Sequence, residues 1–245
     1  SLKELSEWLK SLGITTVAME STGVYWKPIF NILEADFEVL LVNARHVKNV
    51  PGHKTDKRDS RWLTKLLLSG LLKGSFIPPL EIRQLRDLFR YKRKLTGQVS
   101  AEKNRLQKIL EDANLKLSSV VSDTFGVSST LIIEALMAGE EDIAELIKLC
   151  HGKLKPKEAE MKEALVGKLT SHHKFMLRTI KESIKQIEEI IAKVDRQIDE
   201  QTKAYEVEIE LLQTIPGVGK DSAIGINEEN GVEKEQFPPE LHLAS

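Results

Sequence analysis

The stretch that decides the fold is residues 14–42, ITTVAMESTGVYWKPIFNILEADFEVLLV. It opens with a β-branched run at 14–19 and closes with an apolar run at 38–42, and both runs predict buried strands. Between them, the segment from Tyr25 to Ala35 predicts a helix, with Pro28 in the first turn, where proline is tolerated. The order strand, helix, strand is α/β patterning, and it predicts two parallel strands joined by a right-handed crossover.

Helical patterns lie on both sides of this stretch. Residues 2–12 carry large apolar side chains at helical spacing, and Gly13 is a helix stop. Residues 61–73 predict an apolar helix packed on the sheet. Pro78 and Pro79 then break the chain, and a long helix follows from Glu81 to about Leu117. Residues 118–170 predict shorter helices, and we expect the histidines at 151, 172 and 173 to lie at the surface.

A heptad pattern occupies the region after residue 171. Its members alternate four and three residues apart, at Ile180, Ile184, Ile187, Ile191, Val194, Ile198, Gln201 and Tyr205. Such a pattern predicts a coiled coil or the seam of an antiparallel helix pair. The partner is either the 81–117 helix of the same chain or a second protomer, so a homodimer or higher oligomer is expected. Gln201 on the seam would favour one register.

Composition excludes several classes of protein. The chain has 245 residues, of which 41% are hydrophobic and 30% charged, enough to bury a core. No apolar run reaches membrane-spanning length, so no membrane partner is expected. Cys150 is the only cysteine, which excludes an internal disulfide framework and a cysteine-based zinc site. A reducing compartment fits this composition, and we expect a cytoplasmic protein.

The net charge of −1 hides a strongly basic block. Residues 45–116 hold 18 Lys and Arg against 7 Asp and Glu, a net charge of +11. The residues before the block carry −3 and those after it −9. A block of this kind indicates a surface that binds a polyanion, whereas a merely solvated helix face would interleave acids with the bases.

Two acids sit inside this block, in the segment HKTDKRDSR at 53–61. Asp56 and Asp59 are three residues apart and would share one face of a helix that starts here. Paired carboxylates suit a hard cation such as Mg²⁺, and the surrounding bases suit phosphate. The alternative is helix capping, with Thr55 or Asp56 as N-cap and Asp59 favoured in the first turn.

Glu20 follows the first predicted strand, at the end where α/β sheets bind their ligands. Asn43 ends the neighbouring strand, and the chain continues from there to Asp56. Glu20, Asp56 and Asp59 are therefore expected to meet on one rim and to bind one or two Mg²⁺ ions, because close carboxylates repel unless a cation joins them. Taken alone, Glu20 has the simpler interpretation of a solvated surface residue.

Bases in the block are the candidate nucleic-acid contacts. They are Arg45, Lys48, Lys54, Lys57, Arg58, Arg61, Arg90, Lys92, Arg93 and Lys94. Tyr91 lies among them and could stack on a base. A second candidate is the Pro-Gly-Val-Gly turn at 216–219, which resembles a helix-hairpin-helix: Gly217, Gly219 and Lys220 would approach a phosphate at a helix N-terminus. An ordinary helix–helix turn is the alternative.

Three motifs occur together in order: MESTGVYW at 19–26, VNARHVK at 42–48 and TDKRDS at 55–60. In this respect the chain resembles the insertion-sequence transposases of family one-ten, whose Asp-Glu-Asp-Asp catalytic domain is RuvC-like and which are guided by a bridge RNA. The resemblance implies a ribonuclease-H-like fold whose four acids bind divalent metal. Glu20 matches the family's Glu, and Asp56 and Asp59 match its last two Asp residues.

The resemblance also implies the organisation of the chain. It implies a partial RuvC-like catalytic domain at 1–78, a helical, coiled-coil region at 79–210 and the start of a helix-hairpin-helix-like C-terminal domain at 211–245. The first Asp is expected ahead of Ser1 and the family's catalytic serine beyond Ser245, so this chain is expected to be an incomplete copy and no nucleophile is assigned.

The implied function is a transposase that binds, cuts and rejoins DNA, with a guide RNA as a further partner. Three alternatives remain: a catalytically silent nucleic-acid-binding coiled-coil dimer, a RuvC-like junction resolvase and a purely structural coiled coil.

Overall fold

The computed structural model of the chain describes residues 1–43, 56–220 and 222–225, and it leaves out the side chains of residues 56–59 and 153. The described residues form two compact units, one of Ser1–Arg83 and one that begins at Gln84. Most of the described residues are helical, and the sheet that they form has two strands.

The first unit alternates helices and strands. Its elements, in chain order, are α1 (Leu2–Ser11), β1 (Thr16–Glu20), α2 (Trp26–Leu33), β2 (Glu38–Val42) and α3 (Asp56–Leu68). β1 and β2 pair in parallel, with Thr16 opposite Glu38 and Glu20 opposite Val42. The parallel pairing expected from the sequence is therefore confirmed.

Glycines end two of these helices in the same way. Gly13 has φ +70°, and its N–H and that of Ile14 donate to the carbonyls of Lys10 and Leu9, which is a Schellman motif. Since Ile14 belongs to this cap, β1 starts at Thr16 rather than at residue 14, and Glu20 becomes its last residue.

α3 shows the second case and is shorter than predicted. The sequence predicts helix over 61–73, but α3 ends at Leu68. Gly70 has φ +66°, its N–H donates to Leu67 O, and the N–H of Leu71 donates to Leu66 O. Leu66 is buried, and α3 packs against β1, as expected of a helix covering the sheet.

A partly buried ion pair supports the core of the first unit. The core side chains are Phe30, Leu33, Phe37, Leu41, Val42, Leu66 and Ile82. The guanidinium of Arg83 lies 5.1 Å from the centre of the Phe30 ring and bonds Glu34 at 2.5 Å. This contact joins the end of α2 to the residue that closes the unit.

Asp36 connects α1 to the turn between α2 and β2. Its Oδ2 accepts from Lys10 Nζ at 2.8 Å and from Ser6 Oγ at 2.8 Å. The bond from Lys10 and the bond from Ser6 lower the pKa of the Asp36 carboxyl, and Asp36 in turn raises the pKa of Lys10. A carboxyl whose pKa is lowered in the folded state stabilises the fold at any pH above its ordinary pKa. This stabilisation is lost as the pH falls through the lowered pKa of the folded state.

Asp36→Asn is therefore expected to lower the unfolding temperature of the first unit at pH 7. The difference from the wild type should persist down to the ordinary carboxyl pKa of 3.8 and disappear as the pH falls further. Tryptophan fluorescence measures this unit selectively, because Trp8, Trp26 and Trp62 all lie in it. Glu7→Gln, which removes a contact to Lys10 within α1 only, is the control and should show a smaller difference.

The second unit is a set of helices around two long ones. α4 (Leu80–Asp112) has all but its first four residues here, and the other long helix is α8 (Ser171–Thr202). The shorter helices are α5 (Val127–Ala138), α6 (Ile143–Lys148), α7 (Glu158–Ala164) and α9 (Glu206–Gln213). Short stretches of 3₁₀ helix lie at Leu117–Ser119, Gly152–Lys157 and Lys203–Tyr205.

α4 ends earlier than the sequence predicts, at Asp112 rather than near Leu117. Asn114 has φ +57°, its N–H donates to Glu111 O, and the N–H of Leu115 donates to Leu110 O. Asparagine here takes the left-handed position that glycine usually fills at a helix end. The predicted end near Leu117 was wrong because the stop is an asparagine, which takes the left-handed conformation far less often than glycine.

α4 and α8 run antiparallel and contact each other. Lys92, in the first half of α4, bonds Asp195 in the last third of α8 at 2.8 Å. At the opposite ends, His173 Nε2 lies 2.9 Å from Asp112 Oδ2. The seam of α8 therefore faces the long helix of the same chain, which is one of the two partners considered from the heptad pattern.

The seam is split between two apolar clusters. Leu106, Leu177 and Ile184 belong to the larger one, whereas Leu95 and Val194 belong to the smaller one. Ile187 and Ile191 lie between the two clusters and are partly buried. Tyr205, the last residue of the heptad pattern, lies past the end of α8. Gln201 Oε1 is buried and accepts no hydrogen bond from any described residue.

His173 is not the surface residue that the sequence suggested. Its side chain is only 12% exposed. Besides the contact to Asp112, its Nδ1 accepts from the backbone N–H of Thr170, and the Thr170 hydroxyl accepts from the N–H of His173. The two residues form a reciprocal cap at the start of α8, with histidine in the place of the usual Glu or Gln.

Gly167 marks the closest approach of two backbone segments. The N–H of Lys168 donates to Ala113 O at 3.1 Å, and that of Lys116 donates to Ala164 O at 2.9 Å. A Cβ at Gly167 would lie 2.1 Å from Ala113 O and 2.6 Å from Asn114 O. These neighbours are backbone atoms, which cannot rotate away as a side chain would.

Gly167→Ala is expected to destabilise the second unit by about 3 kcal/mol, at the upper end of what overpacking costs. Gly97→Ala is the matched control. A Cβ at Gly97 meets nothing within 4 Å, and alanine in a helix interior is about 1 kcal/mol more favourable than glycine. Urea unfolding followed by circular dichroism should therefore move in opposite directions for the two variants; equal midpoints would contradict the close approach.

Candidate functional site

Glu20 stands at the carboxyl end of β1 and is held by the turn that follows. The Thr22 hydroxyl donates to Glu20 Oε1 at 2.8 Å, and the Thr22 N–H donates to Glu20 O at 2.9 Å. The N–H of Ser21 donates to Val42 O at 3.0 Å, so the ladder between the strands continues one residue past Glu20. Gly23, with φ +54°, completes the turn. One carboxylate oxygen of Glu20 is thus occupied by Thr22, which orients the group.

Asp56 and Asp59 lie in the first turn of α3, as predicted. Asp56 is the first helical residue, so the two acids are separated by about one helical turn. α3 packs against β1, the strand that ends in Glu20. The side chains of both aspartates lie outside the described part of the chain, so their meeting with Glu20 stays a prediction. Among the side chains that the structure does describe, no three metal-binding groups come together.

An apolar groove of about 420 Å³ runs beside Glu20. Its walls come from β1, α1 and α2, and they include Val17, Met19, Leu5, Leu9 and Ile29. Glu20, Thr22, Tyr25 and Trp26 lie at this groove as well. Thr22 and Tyr25 were given no role from the sequence, although both belong to the MESTGVYW motif. The available signal was the turn-forming Ser-Thr-Gly directly after a strand.

Bases cover the outer side of α4. The basic face of α4 is defined here as Arg90, Arg93, Lys94, Arg105 and Lys108, all exposed. By helical spacing it lies opposite the buried stripe of Leu95, Val99 and Leu106, and from Arg90 to Lys108 it extends about 27 Å. Arg93, Lys94 and Lys108 form no ion pair with any residue inside the described ranges.

The other predicted contacts differ in their surroundings. Arg61 is exposed on α3, and Lys57 and Arg58 belong to its first turn. Lys92 bonds Asp195 on the inner side of α4, so its charge is used within the helix pair. Arg45, Lys48 and Lys54 lie outside the described residues.

The Pro-Gly-Val-Gly segment forms a turn after α9. Gly217 has φ +86°, and the N–H of Val218 donates to Ile215 O at 3.0 Å. Gly219 O accepts from the N–H of Ala223 at 2.9 Å, and residues 222–225 are helical. Lys220 Nζ bonds Asp199 at 2.7 Å. A turn of this kind fits both a helix-hairpin-helix and an ordinary helix–helix turn, so phosphate binding by it stays a prediction.

Comparison with known proteins identifies the N-terminal part of the chain. Residues 1–115 match the family model of the DEDD transposases of the IS110 type, described as transposases. These residues are similar to that transposase family, and they make up just under half of the chain. The matched range contains Glu20, Asp56 and Asp59 and extends through the whole of α4. A search of curated proteins gives no match to the chain. Within the described ranges, no helix is long and apolar enough to cross a membrane.

The transposase match makes DNA binding an expectation, and the basic face of α4 then gives a quantitative prediction. Replacing Lys94 and Lys108 by Gln is expected to weaken binding to duplex DNA about equally for all sequences. It should also reduce the slope of log K against log salt by about 0.9 for each phosphate that is no longer neutralised. Fluorescence anisotropy titrations at about five to eight NaCl concentrations, from about 50 to about 300 mM, measure both the affinity and the salt slope.

Lys148→Gln is the control for net charge. Lys148 is exposed on α6 and ion-paired with Glu145, away from the basic face in the sequence. Its replacement should leave the salt slope unchanged. An identical reduction of the slope by both sets of variants would contradict a localised binding face.

Proposed function

We propose that this chain acts in the transposition of an insertion sequence, as a recombinase that binds, cuts and rejoins DNA with metal-bound acids. The observation that carries the proposal is the transposase family match over residues 1–115, which contains all three candidate acids. Glu20 at the carboxyl end of β1, and α3 beginning at Asp56 and packing on β1, support it.

The candidate ligands fit a hard divalent cation. Glu20, Asp56 and Asp59 offer carboxylate oxygens, which Mg²⁺ prefers, and no sulfur or imidazole belongs to the set. Thr22 bonds only Oε1 of Glu20, so Oε2 is free of that bond and can bind a cation. One or two Mg²⁺ ions held there would stabilise negative charge on the phosphate and the leaving oxygen.

The residues of the chain have three separate tasks in this proposal. Glu20, Asp56 and Asp59 bind the cation. Thr22 holds the Glu20 carboxylate in one orientation, as residues that hydrogen-bond to metal ligands do. The basic face of α4 neutralises phosphates and so holds the polyanion without reading its sequence, and Arg61 on α3 is a separate candidate phosphate contact.

Further partners belong to the same proposal. A guide RNA would bind basic surfaces for the same electrostatic reason as DNA. A homodimer through the long helices stays a prediction, and the packing of the α8 seam against α4 removes part of the apolar surface that would form it. Light scattering at micromolar concentration tests the oligomeric state.

Glu20→Gln tests the catalytic part of the proposal. It should weaken the binding of Mn²⁺, a spectroscopic substitute for Mg²⁺, in an electron paramagnetic resonance titration, and lower strand cleavage about 100-fold. Thr22→Val keeps the acids but removes the bond to Oε1, so we expect an intermediate loss of about 10-fold, which Thr22→Ser should restore.

Glu38→Gln is the matched control for this experiment. Glu38 lies in the same sheet but at the start of β2, at the opposite end from Glu20, and should affect neither measurement. DNA binding that is indifferent to metal and to Glu20→Gln would instead favour a catalytically silent nucleic-acid-binding protein. Cleavage of four-way junctions without any RNA would favour a junction resolvase.

A further inference from the structure

We propose that Tyr25 stacks on an unpaired nucleobase of the nucleic-acid strand that lies beside Glu20. This inference rests on the proposed function, because the strand is the one whose phosphate would approach the candidate acids. It assigns a substrate contact to a residue outside the acid set and outside the basic face.

The exposure of Tyr25 is the first observation. Its side chain is 80% exposed, compared with 48% for Tyr91. An aromatic ring exposed to water has a large apolar surface, and covering this surface with another flat ring lowers the free energy. A nucleobase has such a surface whatever its identity, so stacking needs no particular sequence.

The second observation is that the ring lies beside the turn that follows β1. A Cβ built at Gly23 would lie 3.6 Å from Cδ2 and 3.7 Å from Cε2 of Tyr25. One edge of the ring therefore lies beside the turn, at ordinary van der Waals distance from where a Cβ of residue 23 would be. Tyr25 directly precedes α2 with φ −69° and ψ −23°, so its backbone already has helical geometry. A tyrosine side chain has only two χ angles, so it loses little conformational entropy when a base stacks on it.

The position of the ring is the third observation. Tyr25 lies at the same groove as Glu20, Thr22 and Trp26. The groove joins an apolar surface to a carboxylate suited to a cation. A nucleotide has the complementary make-up, since a flat base is joined through its sugar to an anionic phosphate. One nucleotide could thus place its base on Tyr25 while its phosphate faces the cation bound by Glu20.

The test compares Tyr25→Ala, Tyr25→Phe and Val24→Ala in the full chain. Val24 is 66% exposed beside Tyr25, so its truncation removes exposed apolar area without removing a ring. Each variant is titrated with short single-stranded DNA at low salt in the presence of EDTA, so that no cleavage occurs. A series of oligonucleotides carries one abasic position each, and a parallel series carries the fluorescent base 2-aminopurine at the same positions.

Tyr25→Ala is expected to weaken binding of the intact oligonucleotide about 10-fold, within the range of a single base–aromatic stack. For one abasic position the effect should shrink to less than about twofold, because the partner of the ring is already absent. Tyr25→Phe and Val24→Ala should bind like the wild type. At the same position, 2-aminopurine fluorescence should be quenched by the wild type but not by Tyr25→Ala.

Three results would overturn the inference: equal affinity of Tyr25→Ala and the wild type, an equal loss on every abasic oligonucleotide, or an equal loss for Val24→Ala. The same series made of RNA shows whether the base comes from DNA or from a guide, by which series has the stronger coupling.

Failure of the proposed function is distinguishable from these results. If the proposed function were wrong, Glu20→Gln would leave metal binding and cleavage unchanged. The stacking of Tyr25 is measured without metal, so that result would not affect it. A wild-type chain that binds no oligonucleotide at low salt would overturn both.

Discussion

The parallel hydrogen-bond ladder between β1 and β2 is the interaction on which the candidate site depends. It pairs Glu20 with Val42 and extends through the N–H of Ser21 to Val42 O. Both strands therefore end at the same edge, where Glu20 lies and where the chain leaves β2 at Asn43. Leu41 and Val42 point to opposite faces of the sheet and both are buried, so packing on both sides fixes the end of β2. The burial of Leu41 and Val42 thus helps to hold Glu20 at the rim.

The second unit depends instead on the separation of apolar side chains, which are buried, from charged side chains, which face solvent. α4 and α8 bury aliphatic side chains from both helices, and burial of such side chains is the main source of stability. The ion pairs at the ends of the pair are partly exposed and contribute little by themselves, although they define which ends meet. Because the buried stripe occupies one side of α4, the bases on the opposite side are exposed to solvent.

Local sequence signals predicted much of the architecture. The order of the elements, the parallel strands and the start of a helix at Asp56 follow from hydrophobic periodicity and from residues that begin or end helices. The end of α3 would have been predicted correctly if Gly70 had been interpreted as a helix stop, as Gly13 was. Asn114 was harder, since asparagine takes a left-handed conformation far less often than glycine.

Contacts between distant residues could not be predicted in this way. The heptad pattern showed that α8 has an apolar face, but a second copy of the chain and α4 would satisfy that face equally well. His173 looked like a surface residue because its partner Asp112 is 61 residues away in the sequence. Lys92 likewise looked like a phosphate contact, although in the fold it lies beside Asp195 on α8.

The sequence by itself determined the similarity of residues 1–115 to a transposase family, the strand–helix–strand core, the acid at a strand end and the basic block. Each of these is encoded by neighbouring residues, through side-chain periodicity or a short motif. Only the tertiary structure decided which bases face outward, which helix covers the α8 seam, and that Thr22 orients Glu20 while Tyr25 stays exposed. The physical reason is that a side chain's partners and its exposure depend on backbone segments that meet only after folding, and no local pattern records which segments those are.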